Sequence, residues 1–180
     1  MRKECEMLTN KEALRLVELL GKMERPYPQH VFNALCRNTI TCPVDIAALT
    51  RNGKVLLFRR SSTDPFFANL WALPGTVQLF GDSIEDALDR LLFKDELAGI
   101  RHTKPVFVFI GSAKYGMLKD ECRRGQEETR VHIVWVKEKG YCGPGKFFPL
   151  NKIPEDTHGP QRLKYLPELH RRFLLHTLPS

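Results

Sequence analysis

The sequence predicts a fold of the α/β (α+β) class, in which a mixed β-sheet is sandwiched between helices. Amphipathic helical patterns occur near the start of the chain, in its middle and near its end, and short apolar runs lie between them. Asn52-Gly53 separates the first two of these runs, and Asn-Gly between apolar runs is a strong hairpin signal. The order helix, hairpin, helix, strands, helix is typical of a sheet covered by helices.

The first helix is predicted over residues 11–23, where apolar side chains recur at helical spacing. Asn10 is its expected N-cap, and the prolines at positions 26 and 28 end it. The hairpin that follows is predicted from strands at Val44 to Leu49 and Lys54 to Arg60. These assignments leave residues 1–40 as a helical N-terminal extension.

The central helix is predicted from Ser83 to about Leu97. Ser83 and Asp86 have the spacing of a capping box, which marks a helix start. The side chains predicted to form its buried face are Ile84, Ala87, Leu88, Leu91 and Leu92.

The rest of the chain completes the sheet and adds a last helix. Strands are predicted at Val106 to Ile110 and Val131 to Val136, with a polar loop at residues 111–130 between them. A short strand is expected at Phe147 to Leu150, and a helix from Pro167 to Leu175. We expect one domain over residues 1–180, with a core at residues 43–155 and the last helix within residues 160–178.

Charge and cysteine content narrow the class of protein. No apolar run approaches the roughly 20 residues of a membrane span, and no apolar segment follows the N-terminus as in a secretory signal. Five cysteines with no CxxC pair favour reduced thiols and a cytoplasmic location. The net charge of +7 is spread over separate short clusters, so nucleic-acid binding through residues 111–130 is the least favoured function.

Acidic residues gather around the central helix. Glu85, Asp86 and Asp89 lie in its first turns, where acids stabilise the positive end of a helix. Asp95 differs, because its spacing from Leu88, Leu91 and Leu92 places it on the buried face. A carboxylate there needs a partner, which could be an arginine such as Arg59 or Arg60, or a metal ion.

The segment from Leu70 to Ile100 resembles the signature of the Nudix hydrolases, which cleave nucleoside diphosphates linked to another group. The family pattern is glycine, five residues, glutamate, seven residues, then Arg-Glu-apolar-x-Glu-Glu-x-Gly. With Arg90 on its arginine, Asp82 falls on the first glutamate and Asp95 on the last. The positions carrying Thr76, Leu91, Lys94 and Leu97 depart from the pattern. The flanking segments 55–60, 70–75 and 146–154 also resemble the family, so the likeness covers roughly residues 43–155.

In having leucine directly after the arginine of this signature (the box), the sequence resembles the GDP-mannose mannosyl hydrolase branch of the family. That resemblance implies one weakly bound divalent metal, Mg²⁺ or Mn²⁺, held by Asp95 and the backbone of Gly75. It implies a small-molecule nucleoside diphosphate derivative, such as a nucleotide sugar, with Arg60 contacting the diphosphate. Asp82, Arg90 and Asp95 become the catalytic candidates. Trp71 is a candidate for stacking on the base, although packing in the core or the turn is the favoured explanation.

Two departures favour a rival interpretation. Lys94 places a positive charge beside the expected metal ligand, and no general base stands near residues 141–145. His132 and His158 could serve as the base, but surface or packing roles suit each of them better. The rival is a catalytically inactive Nudix module that binds a nucleotide or a protein. The sequence leaves a homodimer open.

Overall fold

The computed structural model describes residues 9–23, 27–64, 66–79, 81–93, 97–114, 125–139 and 141–179. The chain divides into two units, residues 1–35 and residues 36–180. No helix among the described residues is both long enough and apolar enough to cross a membrane.

The first unit is helical. Helix α1 (Asn10–Lys22) begins one residue earlier than predicted, because Thr9 rather than Asn10 is its N-cap. Thr9 and Glu12 form a capping box, in which the Glu12 amide donates to Thr9 Oγ1 over 3.3 Å. Helix α2 (Gln29–Asn38) begins here and was not predicted, because the prolines before it were interpreted only as the end of α1.

The second unit is built on one mixed sheet of eight described strands. Their bounds are β1 Ile40–Thr41, β2 Pro43–Leu49, β3 Lys54–Arg59, β4 Trp71–Ala72, β5 Gly75–Val77, β6 Val106–Lys114, β7 Gln126–Trp135 and β8 Lys146–Pro149. The central order is β1-β7-β2-β3-β4; β5 pairs with β2, β6 with β7, and β8 with β3. Strand β2 is parallel to β7 and antiparallel to β3 and β5.

The predicted hairpin is confirmed, since β2 pairs antiparallel with β3 and Gly53 takes the positive φ of 77° that its turn requires. The predicted loop at residues 111–130 is wrong at both ends. Residues 111–114 extend β6 and residues 126–130 begin β7, and Lys114 pairs with Gln126. Alternation explains this result: Ala113, Glu127 and Thr129 are buried between polar neighbours that are exposed or half-buried.

Helices cover both faces of the sheet. Helix α3 (Ile84–Phe93) lies on one face, with Leu88, Leu91 and Leu92 buried as predicted. The other face packs against a π-helical turn (Gln161–Tyr165) that continues into helix α4 (Leu166–Leu174). This last helix begins before Pro167, since proline is tolerated in a first helical turn. Residues 94–96, in the predicted C-terminal part of the central helix, lie outside the described residues.

Candidate functional site

An arginine with a fixed orientation stands where β3 ends. The Arg60 amide donates to the Leu70 carbonyl over 3.0 Å, which holds its backbone next to the turn before β4. Asp64 Oδ2 accepts from Arg60 Nε over 2.9 Å and from Nη2 over 2.5 Å. Asp64 Oδ1 in turn accepts the amides of Phe66 and Phe67 over 3.0 and 2.8 Å. The guanidinium is therefore oriented by a carboxylate that the backbone itself fixes.

Asp64 stays ionised to hold this arrangement. Burial raises the pKa of its carboxyl, but the hydrogen bonds from Phe66, Phe67 and Arg60 outweigh burial and lower the pKa below its usual value. The side chain of Asp64 is 14% exposed and that of Arg60 36% exposed. Arg60 thus keeps a solvent-facing part for a ligand.

Arg60 and Gly75 line one cavity of about 350 Å³. The residues around it come from β3, the following loop, the turn between β4 and β5, and one residue before β8: Phe58, Arg59, Arg60, Ser61, Asp64, Ala72, Leu73, Gly75 and Pro144. The structure therefore brings together two of the predicted site residues. Arginines and a serine hydroxyl beside a backbone turn form a surface suited to phosphate oxygens.

The turn at Gly75 requires glycine because of a buried acid. Asp45 in β2 is opposite Gly75 in the register of β2 and β5, and is 6% exposed. A Cβ on Gly75 would lie 2.2 Å from Asp45 Oδ1, which no side chain could accept without a shift. Gln161 donates from Nε2 to Asp45 Oδ2 over 2.7 Å. A carboxylate therefore lies directly behind the cavity wall.

Trp71 is placed in the packing between strands. Its ring meets Phe148 edge-on with centroids 5.0 Å apart, and the Arg59 guanidinium lies 5.0 Å from its centroid. Arg59 also pairs with Asp156 over 2.9 Å. Trp71 is not among the residues that line the cavity, and its contact with substrate stays a prediction.

Asp82 and Arg90 are placed together, as a pair. Arg90 Nη1 donates to Asp82 Oδ2 over 2.6 Å, and Arg90 Nη2 reaches the Val77 carbonyl over 3.3 Å. The Leu79 amide donates to Asp82 Oδ2 over 2.8 Å. This amide and then Arg90 lower the pKa of the Asp82 carboxyl. The pair fastens the loop between β5 and α3 onto α3, and the catalytic role of either residue stays a prediction.

The predicted metal centre is only partly described. Asp95 and Lys94 lie outside the described residues, and Gly75 lies at the cavity wall. Leu91, at a box position that carries glutamate in the family, is completely buried. No group of three or more His, Cys, Asp or Glu side chains able to hold a metal ion occurs among the described residues. Those residues alone do not supply a complete metal site.

The two candidate histidines are both buried. His158 packs edge-on against Phe67 with centroids 4.2 Å apart, and its amide donates to the Trp71 carbonyl over 2.8 Å. His132 lines a second cavity of about 560 Å³ between α3, β6 and β7, on the α3 face of the sheet. Burial lowers the pKa of the His132 imidazole, as does the Arg130 charge; a hydrogen bond to the Arg130 carbonyl and the Glu85 charge oppose this shift. Neither histidine lines the Arg60 cavity.

Sequence reasoning missed three residues of this site. Asp45 carried a usable signal, since an acid inside the apolar run of β2 needs a partner. Asp64, four residues after Arg60, carried a weaker one, because polar residues next to a proline are typical of any turn. Gln161 carried none, because its partners are 116 and 88 residues away in the chain.

Comparison with known proteins identifies the fold. No protein-family model matches this sequence, and no curated protein matches it significantly. Among solved structures, the Nudix domain of Shewanella oneidensis NrtR, complexed with ADP ribose, matches with 20% identity and a TM-score of 0.55 over 87% of this chain and 97% of that one. A MutT Nudix hydrolase from Burkholderia pseudomallei matches with 19% identity and a TM-score of 0.54 over 73% and 98%.

Two further solved structures also match this chain. A UDP-X diphosphatase matches with 17% identity and a TM-score of 0.54 over 93% of this chain and 81% of that one. A NrtR chain complexed with a 27mer DNA matches with 20% identity and a TM-score of 0.55 over 75% and 62%. At these identities the likeness concerns the fold alone. The predicted fold class is confirmed: the chain has the mixed sheet and helices of a Nudix domain.

Proposed function

We propose that this chain is a hydrolase of a nucleoside diphosphate derivative, bound with its diphosphate at Arg60. The observation that carries the proposal is the Arg60–Asp64 pair at the rim of a cavity whose wall is the Leu73–Gly75 turn. Asp64 occupies Nε and Nη2 of the guanidinium, and no hydrogen bond joins Nη1 to the described residues. The Nη1 edge is therefore available to phosphate oxygens in a fixed orientation.

The size of the cavity supports a small ligand. Ligand pockets typically enclose about 300–1,000 Å³, and this one encloses about 350 Å³. Two structural neighbours support such a ligand, since one is complexed with ADP ribose and the other is a UDP-X diphosphatase. Both names refer to a nucleoside diphosphate joined to a further group. The finer proposal is a nucleotide sugar whose diphosphate leaves from a sugar carbon. One divalent ion, Mg²⁺ or Mn²⁺, would neutralise that leaving group if Asp95 completes a site with Gly75.

A small molecule suits the basic residues better than nucleic acid does. Arg59 pairs with Asp156 over 2.9 Å, and Arg171 and Arg172 both pair with Glu168 over 2.7 Å. The two ion pairs of Glu168 lower the pKa of its carboxyl to about 2, first through Arg171 and then through Arg172. Arg59 and the Arg171–Arg172 cluster are therefore paired with acids of the same fold rather than left to bind a polyanion such as nucleic acid.

The test is binding and turnover with a panel of ADP-ribose and nucleotide sugars in the presence of MgCl₂. Arg60→Ala should weaken binding about ten- to a hundredfold, which is the effect of losing a charged hydrogen bond. Arg60→Lys should be intermediate, since it keeps the charge and loses the planar donor edge. Lys54→Ala is the matched control, because Lys54 pairs with Glu138 at the other end of β3. Equal binding by Arg60→Ala and wild type contradicts the proposal.

Turnover in ¹⁸O-labelled water tests the finer proposal. With Leu91 and Lys94 at two acidic box positions, attack of a metal-activated water on phosphorus lacks its usual carboxylate support. Cleavage at the sugar carbon should therefore dominate, and the label should appear in the sugar product. Label in the phosphate product would show attack at phosphorus.

An inactive binding module is the second candidate, favoured by the buried Leu91 and the Asp82–Arg90 pair. Both observations show box positions used for packing or for fastening a loop. The two candidates share the Arg60 cavity and differ only in chemistry. Binding of a panel member that depends on Arg60, without turnover of any member, would establish this second candidate.

A further inference from the structure

A buried glutamine from the C-terminal region reaches the wall of the Arg60 cavity from behind. Gln161 begins the π-helical turn before α4 and is 5% exposed. Its Nε2 donates to Asp45 Oδ2 over 2.7 Å, and its Oε1 accepts the Leu73 amide over 2.8 Å. One side-chain amide therefore joins β2 to the turn between β4 and β5.

The Leu73–Gly75 turn is held at each of its three residues. The Leu73 amide is bound by Gln161, the Pro74 carbonyl accepts the Ile46 amide over 2.9 Å, and Gly75 pairs with Asp45. Leu73 is 2% exposed, so its amide has no access to water as an alternative partner. Pro74 has no amide hydrogen of its own. Gln161 thus supplies the side-chain contact that fixes the start of the turn.

We propose that Gln161 is a positioning residue, which sets the affinity of the Arg60 cavity by holding Leu73 and Asp45 in place. Gln161 does not line the cavity, whereas Leu73 and Gly75 do. Its effect on a ligand is therefore transmitted through the turn. The C-terminal segment becomes a part of the binding site that the signature segment does not contain. This inference rests on the proposed function for its affinity readout, but not for its structural one.

The chemistry of the triad allows a test by exchange of hydrogen-bond polarity. Gln161→Glu places two carboxyl groups together, and they can keep both hydrogen bonds only while they share a proton. When both carboxyl groups are ionised they repel each other, so the variant should loosen the turn. Adding Asp45→Asn to Gln161→Glu restores both bonds while the new carboxyl is ionised. The new amide at position 45 donates to the new carboxylate at position 161, which still accepts the Leu73 amide. The buried negative charge is conserved in this double variant.

The experiment measures Leu73 amide hydrogen exchange and the Kd for ADP-ribose and for inorganic pyrophosphate, all at about pH 8, where carboxyl groups are ordinarily ionised. In Gln161→Glu, Leu73 should exchange about tenfold faster and Kd should rise about tenfold. Both should return towards wild type in the double variant. Tyr165→Phe is the matched control, since it removes a buried 3.3 Å bond to Thr129 from the same helical turn and leaves both hydrogen bonds of Gln161 in place.

Each outcome decides the inference. Unchanged Leu73 exchange in Gln161→Glu, failure of the double variant to recover, or an equal loss of affinity in Tyr165→Phe overturns it. If the wild type binds neither probe, the proposed function fails. The positioning role is still decided by Leu73 exchange, because that readout needs no ligand.

Discussion

The turn at Leu73–Gly75 and helix α3 are neighbours in sequence, but their polar groups have different roles. Around α3 the side chains bind one another: Ser83 Oγ donates to Asp86 Oδ2 over 2.7 Å, and Asp82 binds Arg90. Around the turn they meet at a cavity. The helix of the signature segment thus uses its polar groups within the fold, whereas the surface proposed for the ligand is built by residues outside that helix. Stability and binding should therefore respond to different substitutions.

The largest expected effect is on stability, from Leu91→Glu, which introduces the glutamate that the Nudix signature carries at this position. Leu91 is 0% exposed and packs in the core between α3 and the sheet. An unpaired carboxylate there should lower the free energy of unfolding by more than about 3 kcal/mol, measured by urea denaturation. Phe93→Glu, at a 64% exposed position of the same helix, is the control. An unchanged midpoint with new metal binding would show that residue 91 faces the site, and the comparison would break.

A smaller loss of stability is expected from Asp82→Ala. The change leaves Arg90 and the Leu79 amide without the carboxylate that joins them, so the loop before α3 should loosen. The Kd for ADP-ribose should stay at its wild-type value, because Asp82 does not line the Arg60 cavity. Calorimetric titration and thermal unfolding measure the two effects on the same sample. A large rise in Kd with little change in Tm would show that Asp82 serves the binding site rather than the stability of the fold.

A still smaller effect on stability should follow from protonation of His132, on the α3 side of the sheet, as the pH falls. Burial lowers the pKa of His132 in the fold below its unfolded value of about 6.5. The unfolded chain therefore takes up this proton first as pH falls, and stability should decline below about pH 6.5. His132→Gln should flatten that part of the stability–pH curve, measured by urea denaturation. Kd should not follow the same curve, because His132 lines the other cavity.

The sequence was sufficient for the elements that local patterns define. The Asn52-Gly53 hairpin and the α3 capping box follow from residues a few positions apart, and both occur in the structure. Strands β4 and β5 have two and three residues, too few for a pattern. They exist because β3 and β2 supply hydrogen-bonding partners.

The site was predictable to a similar extent. Arg60 and Gly75 were predicted because the family pattern fixes their neighbours in the chain; both line one cavity, and their roles in binding stay predictions. Gln161 was not found, since its contacts join β2, the turn and the C-terminal segment in space only. Hydrogen bonds between distant segments depend on the completed fold, which no local spacing encodes.

The smallest expected signal concerns the metal, and it sharpens the comparison most directly. If an ion bound tightly, the chemistry would be assigned to the predicted ligand Asp95, beside Lys94, rather than to the Leu73–Gly75 turn. Mg²⁺ requires several hard oxygen ligands, whereas Leu91 and Lys94 replace two acids of the signature and the shorter aspartate stands at Asp82 and Asp95. Calorimetry with Mg²⁺ or Mn²⁺ at micromolar protein should therefore show little heat. Weak binding lost in Asp95→Asn would place the ion at that residue, whereas tight binding that survives Asp95→Asn would assign it to other ligands.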